Sequence, residues 1–311
     1  RKPVVYIGFI IFLIASVVCL YAPSLEVMVV GRIFQGIGLS APRTISISII
    51  RDTYVGDYMA KIMSFVVAFF ILVPVVAPAI GKLILDAAGW EAIFYVQMFF
   101  VLVVAIWFWK RQKETLHPEY KIPFTRHVFI DGVKEFVKYR ETVAFTLTSG
   151  LVTGAFLVYL SSAQHIFEDQ YALKEMFPYI FAGLAVSIGL STFLNGTLVM
   201  RFGMRKLSLM ATIVFCVVAL TYSIVFLNTP NPSIYVLVGF LSIQFFCLGF
   251  MWGNFRSIAM EPIGHIAGIG AAINGFVSTL LSIPIATFIG EFVKETVWPL
   301  FAGLAICGLC A

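Results

Sequence analysis

The amino-acid sequence predicts an all-α membrane protein built from two pseudo-symmetric helix bundles. Composition is the first reason: 60% of the 311 residues are hydrophobic and 12% are charged, whereas soluble domains average about 25% charged. Spacing is the second, because apolar runs of about 20 residues, enough for a helix to cross a bilayer, recur along nearly the whole chain. Repetition is the third, since landmarks of the first half return in the second at a nearly constant offset. Together these exclude a soluble domain held by a single anchor.

Taken in order, spanning helices are expected near 4–22, 25–50, 60–85, 91–109 and 142–164, then near 177–199, 206–227, 233–258, 266–291 and 296–311. Their joints are short and carry turn chemistry, as in Tyr21-Ala22-Pro23-Ser24 and the proline-rich stretch 228–232. Segment 110–141 differs: it is charged, net basic and holds Pro118 and Pro123, with an amphipathic helix expected over 129–139 on the membrane surface. The expected organisation is an N-terminal bundle over 1–109, a linker over 110–141 and a C-terminal bundle over 142–311.

Loop charge sets the orientation. Arg1 and Lys2, Arg51 with Lys61, the linker, Arg201 with Arg205 and Lys206, and Arg256 fall on one side, and the opposite loops are poor in Lys and Arg. The positive-inside rule makes the basic side cytoplasmic, so the formal net charge of +5 does not point to nucleic acid. The five cysteines lie scattered inside apolar runs, too far apart for a disulfide framework. The four histidines lack zinc-ligand spacing and no Gly-rich phosphate loop follows a strand, so neither a metal site nor an enzyme is expected.

The halves match each other. Arg1-Lys2 corresponds to Arg205-Lys206, Val30-Gly31 to Val238-Gly239, Asp52 to Glu261, Pro74 to Pro284, and Gly81 to Gly290. Parallel repeats of this kind build one large class of transporters.

The most informative stretch runs from Val30 to Asp52. It reads as one spanning helix, yet it holds Arg32, Gln35 and Arg43. An arginine at mid-bilayer depth costs about 2.5–3.5 kcal/mol on insertion scales, and at 100° per residue Arg32 and Arg43 lie within about 20° of each other. Either the two face a wet cavity or they snorkel to the nearest interface.

These residues carry a family resemblance. Arg32-Ile-Phe-Gln35-Gly36-Ile-Gly38 resembles the fourth-helix motif of the major facilitator superfamily, and Arg1-Lys2-Pro3 the tail of its loop between the second and third helices. Ala77-Pro78-Ala79-Ile80-Gly81 resembles the fifth-helix motif of the antiporters, although Lys82 stands where a second glycine is usual. The stretches 195–205 and 259–268 resemble the second-half loop and the drug:proton antiporters of the Bcr/CflA type. The resemblance implies the major facilitator fold, with this chain as its third to twelfth helices and both ends truncated.

It also implies site roles. Arg32 would tune the proton affinity of a nearby carboxylate; no carboxylate lies at mid-bilayer here, and the family commonly keeps one in its first helix. Arg51, Asp52 and Glu261 would form a cytoplasmic gate, the alternative being solvated helix ends. From interrupted apolar runs, Gln35, Arg43, Gln244, Trp252 and Asn254 are candidate walls of the substrate cavity. Gly36, Gly38 and Gly81 are expected to allow close helix packing, and Pro74, Pro78 and Pro284 to bend their helices.

The expected function is secondary active transport: proton-coupled efflux of a small amphipathic compound by alternating access. The expected partners are substrate, protons and lipid, with no nucleic acid, no cofactor beyond the proton gradient, a monomeric state, and a multi-pass location in a bacterial inner membrane. A transporter of one metabolite, or a transport-inactive ligand sensor, are the alternatives.

Overall fold

The computed structural model describes residues 1–54, 80–115, 126–227 and 229–311, with single positions 62, 66, 73, 76 and 77 between the first two blocks. It divides into two compact units, Arg1–Pro123 and Phe124–Ala311. Every described element is helical, and among the described residues eight helices are long and apolar enough to cross a membrane. The expected span 60–85 falls mostly outside the described residues.

In the first unit, α1 (Lys2–Leu20) opens with Pro3 in its first turn, where a missing N–H costs nothing. Its buried side runs Val5, Phe9, Phe12, Ser16 and Cys19, the three-to-four spacing of one helix face. The opposite side is equally apolar, with Ile7, Ile10 and Ile14 exposed. Burial and polarity therefore do not coincide, as expected where the solvent is lipid and packing rather than water exclusion selects the buried face.

Helix α2 (Leu25–Thr53) is capped by Ser24, whose hydroxyl accepts from the Val27 N–H at 3.5 Å. It crosses α1 at backbone contact. A Cβ on Gly38 would stand 2.7 Å from the Gly8 carbonyl oxygen, and one on Gly8 would stand 2.9 Å from Cδ of Pro42. Residues 80–88 are helical and form α3. Gly89, with φ +80°, then turns the chain into α4 (Trp90–Arg111). Phe94 anchors α4 against Cys19 and Leu20, and Phe108 meets Tyr6 edge-on at 5.8 Å.

In the second unit, α5 (Arg126–Lys138) leads into α6 (Arg140–Gln164), which ends in a π turn, His165–Gln170. Then come α7 (Phe177–Phe202), α8 (Met204–Val225), α9 (Ile234–Met260), α10 (Ala267–Gly290) and α11 (Trp298–Leu309). The first of the expected surface-helix positions, Phe129, falls inside α5, but this helix is not only a surface element: Phe136 is buried with Ile263 and Ile273. Helix α9 runs through the core, burying Leu237, Leu241, Leu248, Met251, Phe255 and Ile258 at heptad-like spacing. Tyr222 stacks on Phe301 at 3.7 Å, joining α8 to α11.

Small residues bring α6 and α10 together. Gly150 and Gly154 face Ser278 and Ser282, so that an added Cβ would lie 3.3 and 3.2 Å from the two serine Cα atoms. Beside them the Asn274 amide donates to Thr146 Oγ1 at 2.7 Å, and Ser278 Oγ donates to the Thr146 carbonyl at 3.2 Å.

Candidate functional site

The first unit holds a cavity of about 530 Å³ between α1, α2 and α4, lined by Phe12, Arg32, Gln35, Gly36, Leu39, Val96, Gln97, Phe100 and Val101. Arg32 Nη1 donates to Gln35 Oε1 at 3.2 Å, one turn further along α2. Gln35 is 4% exposed, and its amide donates to Ser16 Oγ of α1 at 2.7 Å. Ser16 in turn donates to the Phe12 carbonyl at 2.7 Å. This relay carries the polar atoms of α2 across a helix interface and ends on a backbone acceptor. The guanidinium is held from the other side by Phe94 of α4, whose ring centroid lies 4.6 Å from Cζ. Such a cation–π contact contributes about 0.5–1 kcal/mol when exposed and about 2 when desolvated.

Among the described residues the guanidinium has one amide partner and one aromatic ring, which leaves several of its N–H groups for an anionic or carbonyl partner in the cavity. Gln97 adds a second amide to that wall. Sequence reasoning missed it, although its signal was present as a lone amide in the run 91–109.

Other expected residues separate. Arg43 is exposed on α2 and is not among the lining residues. Gly36 lines the cavity, and among the described residues an added Cβ there would meet nothing within 4 Å. Gly38 does mark the close crossing with α1. Gly81 likewise has open space around it among the described residues. Pro74 and Pro78 lie outside the described residues, as do the side chains of Arg51 and Asp52, whose backbone forms the last turn of α2. Pro284 sits inside α10, which continues to Gly290.

In the second unit, Gln244 is 0% exposed and its amide donates to the Phe215 carbonyl of α8 at 3.0 Å. It is therefore a packing residue and not a cavity wall. Its number exceeds that of Gln35 by 209 (244 − 35), inside the repeat offset, and both glutamines reach from one helix to the preceding one. Asn254, 3% exposed, forms a reciprocal amide pair with Asn195 of α7, at 3.0 and 3.2 Å. Trp252 meets Phe156 edge-on at 4.9 Å, and its indole N–H is buried without an acceptor among the described residues. Glu261 pairs with Arg205 at 3.6 Å, and Arg205 also pairs with Glu141, so three helix ends meet at one guanidinium. Nothing in the sequence spacing of Arg205 and Glu141 marks them as neighbours of Glu261.

Apolar helices in two units, with an arginine held on a mostly apolar cavity, define a multi-pass integral membrane protein. The chain belongs to the Major Facilitator Superfamily, which it matches over residues 1–288. It is similar to the MFS-type transporter YdgK of Bacillus subtilis, 27% identical over 95% of this chain and 73% of that protein. It is also similar to the multidrug resistance protein MdtL of Klebsiella pneumoniae, 26% identical over 88% of this chain and 68% of that protein. A bicyclomycin resistance protein homolog of Haemophilus influenzae is 23% identical over 99% and 77%. Among solved structures, the fold resembles a bacterial homolog of the human lysosomal transporter Spinster, with a TM-score of 0.62 at 17% identity, covering 100% of this chain and 78% of that one. It also resembles a D-xylose-proton symporter, with a TM-score of 0.64 at 15% identity, covering 99% and 80%.

Proposed function

We propose that this major facilitator chain is a proton-coupled exporter of small amphipathic compounds, working by alternating access in a bacterial inner membrane with segment 110–141 cytoplasmic. The observation that carries the reading is the Arg32–Gln35–Ser16 relay on a cavity whose remaining walls are mostly apolar and aromatic. A lipophilic body suits those walls, and the two amides suit its polar groups. The names of the MdtL and bicyclomycin-resistance relatives support export of drug-like compounds.

In this reading Arg32 supplies the coupling. A guanidinium in a low-dielectric site favours the ionised form of a nearby carboxylate, so moving the carboxylate toward or away from it binds or releases a proton. The relay holds Arg32 in place while that occurs.

The test uses the full-length protein in proteoliposomes carrying a pH gradient. Arg32→Ala is expected to abolish gradient-driven export while membrane insertion persists. Arg32→Lys should also fail, because an ammonium lacks the planar fork that reaches Gln35 while lying over Phe94. Export at the wild-type rate in Arg32→Ala would remove Arg32 from the coupling. Competition by chemically unrelated lipophilic compounds is expected, and strict selectivity for one polar metabolite would favour a dedicated metabolite carrier instead.

A further inference from the structure

Three connections meet at the end of the second unit opposite Arg205, and side chains tie them together. Gln170, closing the π turn after α6, donates to the Lys294 carbonyl at 3.3 Å, and Asn231 of the α8–α9 loop donates to Gln170 Oε1 at 2.9 Å. The Val297 N–H, ahead of α11, donates to Asn231 Oδ1 at 2.8 Å. The Tyr171 hydroxyl donates to the Pro232 carbonyl at 2.8 Å. Each of these contacts pairs a donor with an acceptor at any pH near neutrality.

His165 does not. Its Nδ1 lies 2.7 Å from Asp169 Oδ2 and its Nε2 lies 2.7 Å from the Lys294 carbonyl oxygen. An ionised carboxylate and a peptide carbonyl only accept, whereas neutral imidazole has a single N–H. In either neutral tautomer, one of the two contacts sets a nitrogen lone pair against an oxygen lone pair. Both contacts become hydrogen bonds only in the imidazolium. From this geometry we propose that His165 is a proton-binding site, and that the bound proton fastens the α10–α11 connection onto the end of α6.

The charges around the site favour that assignment. Asp169 is the acid in contact with the ring; Glu168 on the same turn accepts from the Gln164 amide, and the facing segment carries Glu291, Lys294 and Glu295. Tyr171 follows the turn, and burial pushes its phenol up to about 12, so it remains a donor throughout the range in which histidine titrates. The imidazole is therefore the titrating member of the network. The sign follows directly: the fastening is complete at low pH and is lost as pH rises through the histidine range. Loss is local, because Val293 and Val297, 2% and 0% exposed, still anchor the connection from below. The inference is independent of the role proposed for Arg32, which lies in the other unit.

The test is hydrogen exchange on peptides covering 291–298, in the full-length protein in lipid nanodiscs, at about pH 6 and about pH 8.5, corrected for intrinsic rates. Nitrogen-15 spectra of the histidine ring are recorded alongside. Wild type is expected to protect this segment several-fold better at the lower pH, with both ring nitrogens of His165 protonated there. In His165→Phe, protection should be equal at the two pH values and match the wild-type high-pH level. His165→Gln keeps an amide donor for the Lys294 carbonyl and should hold its protection at both pH values, which guards against a folding defect in the Phe variant. A single protonated ring nitrogen at about pH 6, or an unchanged pH dependence in both variants, would overturn the proposal.

Discussion

Buried amides carry much of the specificity of this chain, and Asn195 with Asn254 is the clearest instance. Each donates to the other across α7 and α9, at 3.2 and 3.0 Å. Removing one leaves the other amide unsatisfied in an apolar setting, while interhelical hydrogen bonds in membranes couple by about 0.6 and at most about 1.7 kcal/mol. Asn254→Ala and Asn195→Ala are each expected to lower thermal stability in detergent, and the double variant should lose less than their sum. Strict additivity in that cycle would mean the pair is not coupled. Only half of it was legible in the sequence. Asn254 stands out as a polar break in an apolar run, but Asn195 reads as a turn-side residue of a second-half loop motif. Nothing in one sequence links positions 59 residues apart. The same limit explains Gln244, recognised as unusual and yet a packing residue once Phe215 is seen beside it.

Helices were legible as elements, because a bilayer sets their length and the chain marks their ends. The runs predicted over 142–164 and 206–227 correspond to α6, Arg140–Gln164, and α8, Met204–Val225. Their partners were not legible. The pairing of α6 with α10 rests on Thr146, Gly150 and Gly154 meeting Asn274, Ser278 and Ser282, each set at four-residue spacing. In a lipid environment such close approach gains van der Waals contact and interhelical hydrogen bonds, which no larger side chain allows. Gly154→Leu should therefore separate the two helices against Ile285, whose Cγ2 would stand 3.0 Å from even an added Cβ. Overpacking of this kind typically costs about 1–3 kcal/mol. The expected outcome is a lower melting temperature and weaker exchange protection in α6 and α10, with α7 spared.

At the scale of the whole molecule, a twofold repeat and loop charge made the membrane bundles and the superfamily readable before any coordinates. The charge network at the Arg205 end belongs to this scale, since one guanidinium ties the start of α6, the start of α8 and the end of α9. Exposed ion pairs contribute about 0–1 kcal/mol, too little to hold the fold but comparable to the bias between two conformations of a transporter. Arg205→Ala is expected to leave the melting temperature nearly unchanged while speeding thiol labelling of a cysteine introduced at Lys206. Glu261→Gln should do so more weakly, because Glu141 remains. Equal labelling in wild type and Arg205→Ala would reduce the network to surface decoration.

By itself, the sequence determined that this chain is an all-helical, multi-pass member of a transporter superfamily, with Arg32 set inside a spanning helix. Length, polarity and repetition are local properties, and the bilayer converts them directly into helices. The tertiary structure alone decided what each polar residue meets: Arg32 on Gln35 and Phe94, Asn254 on Asn195, His165 between a carboxylate and a carbonyl. Hydrogen bonds span a few ångströms in space and carry no trace of their distance along the chain. Partner choice is therefore written in packing and not in periodicity.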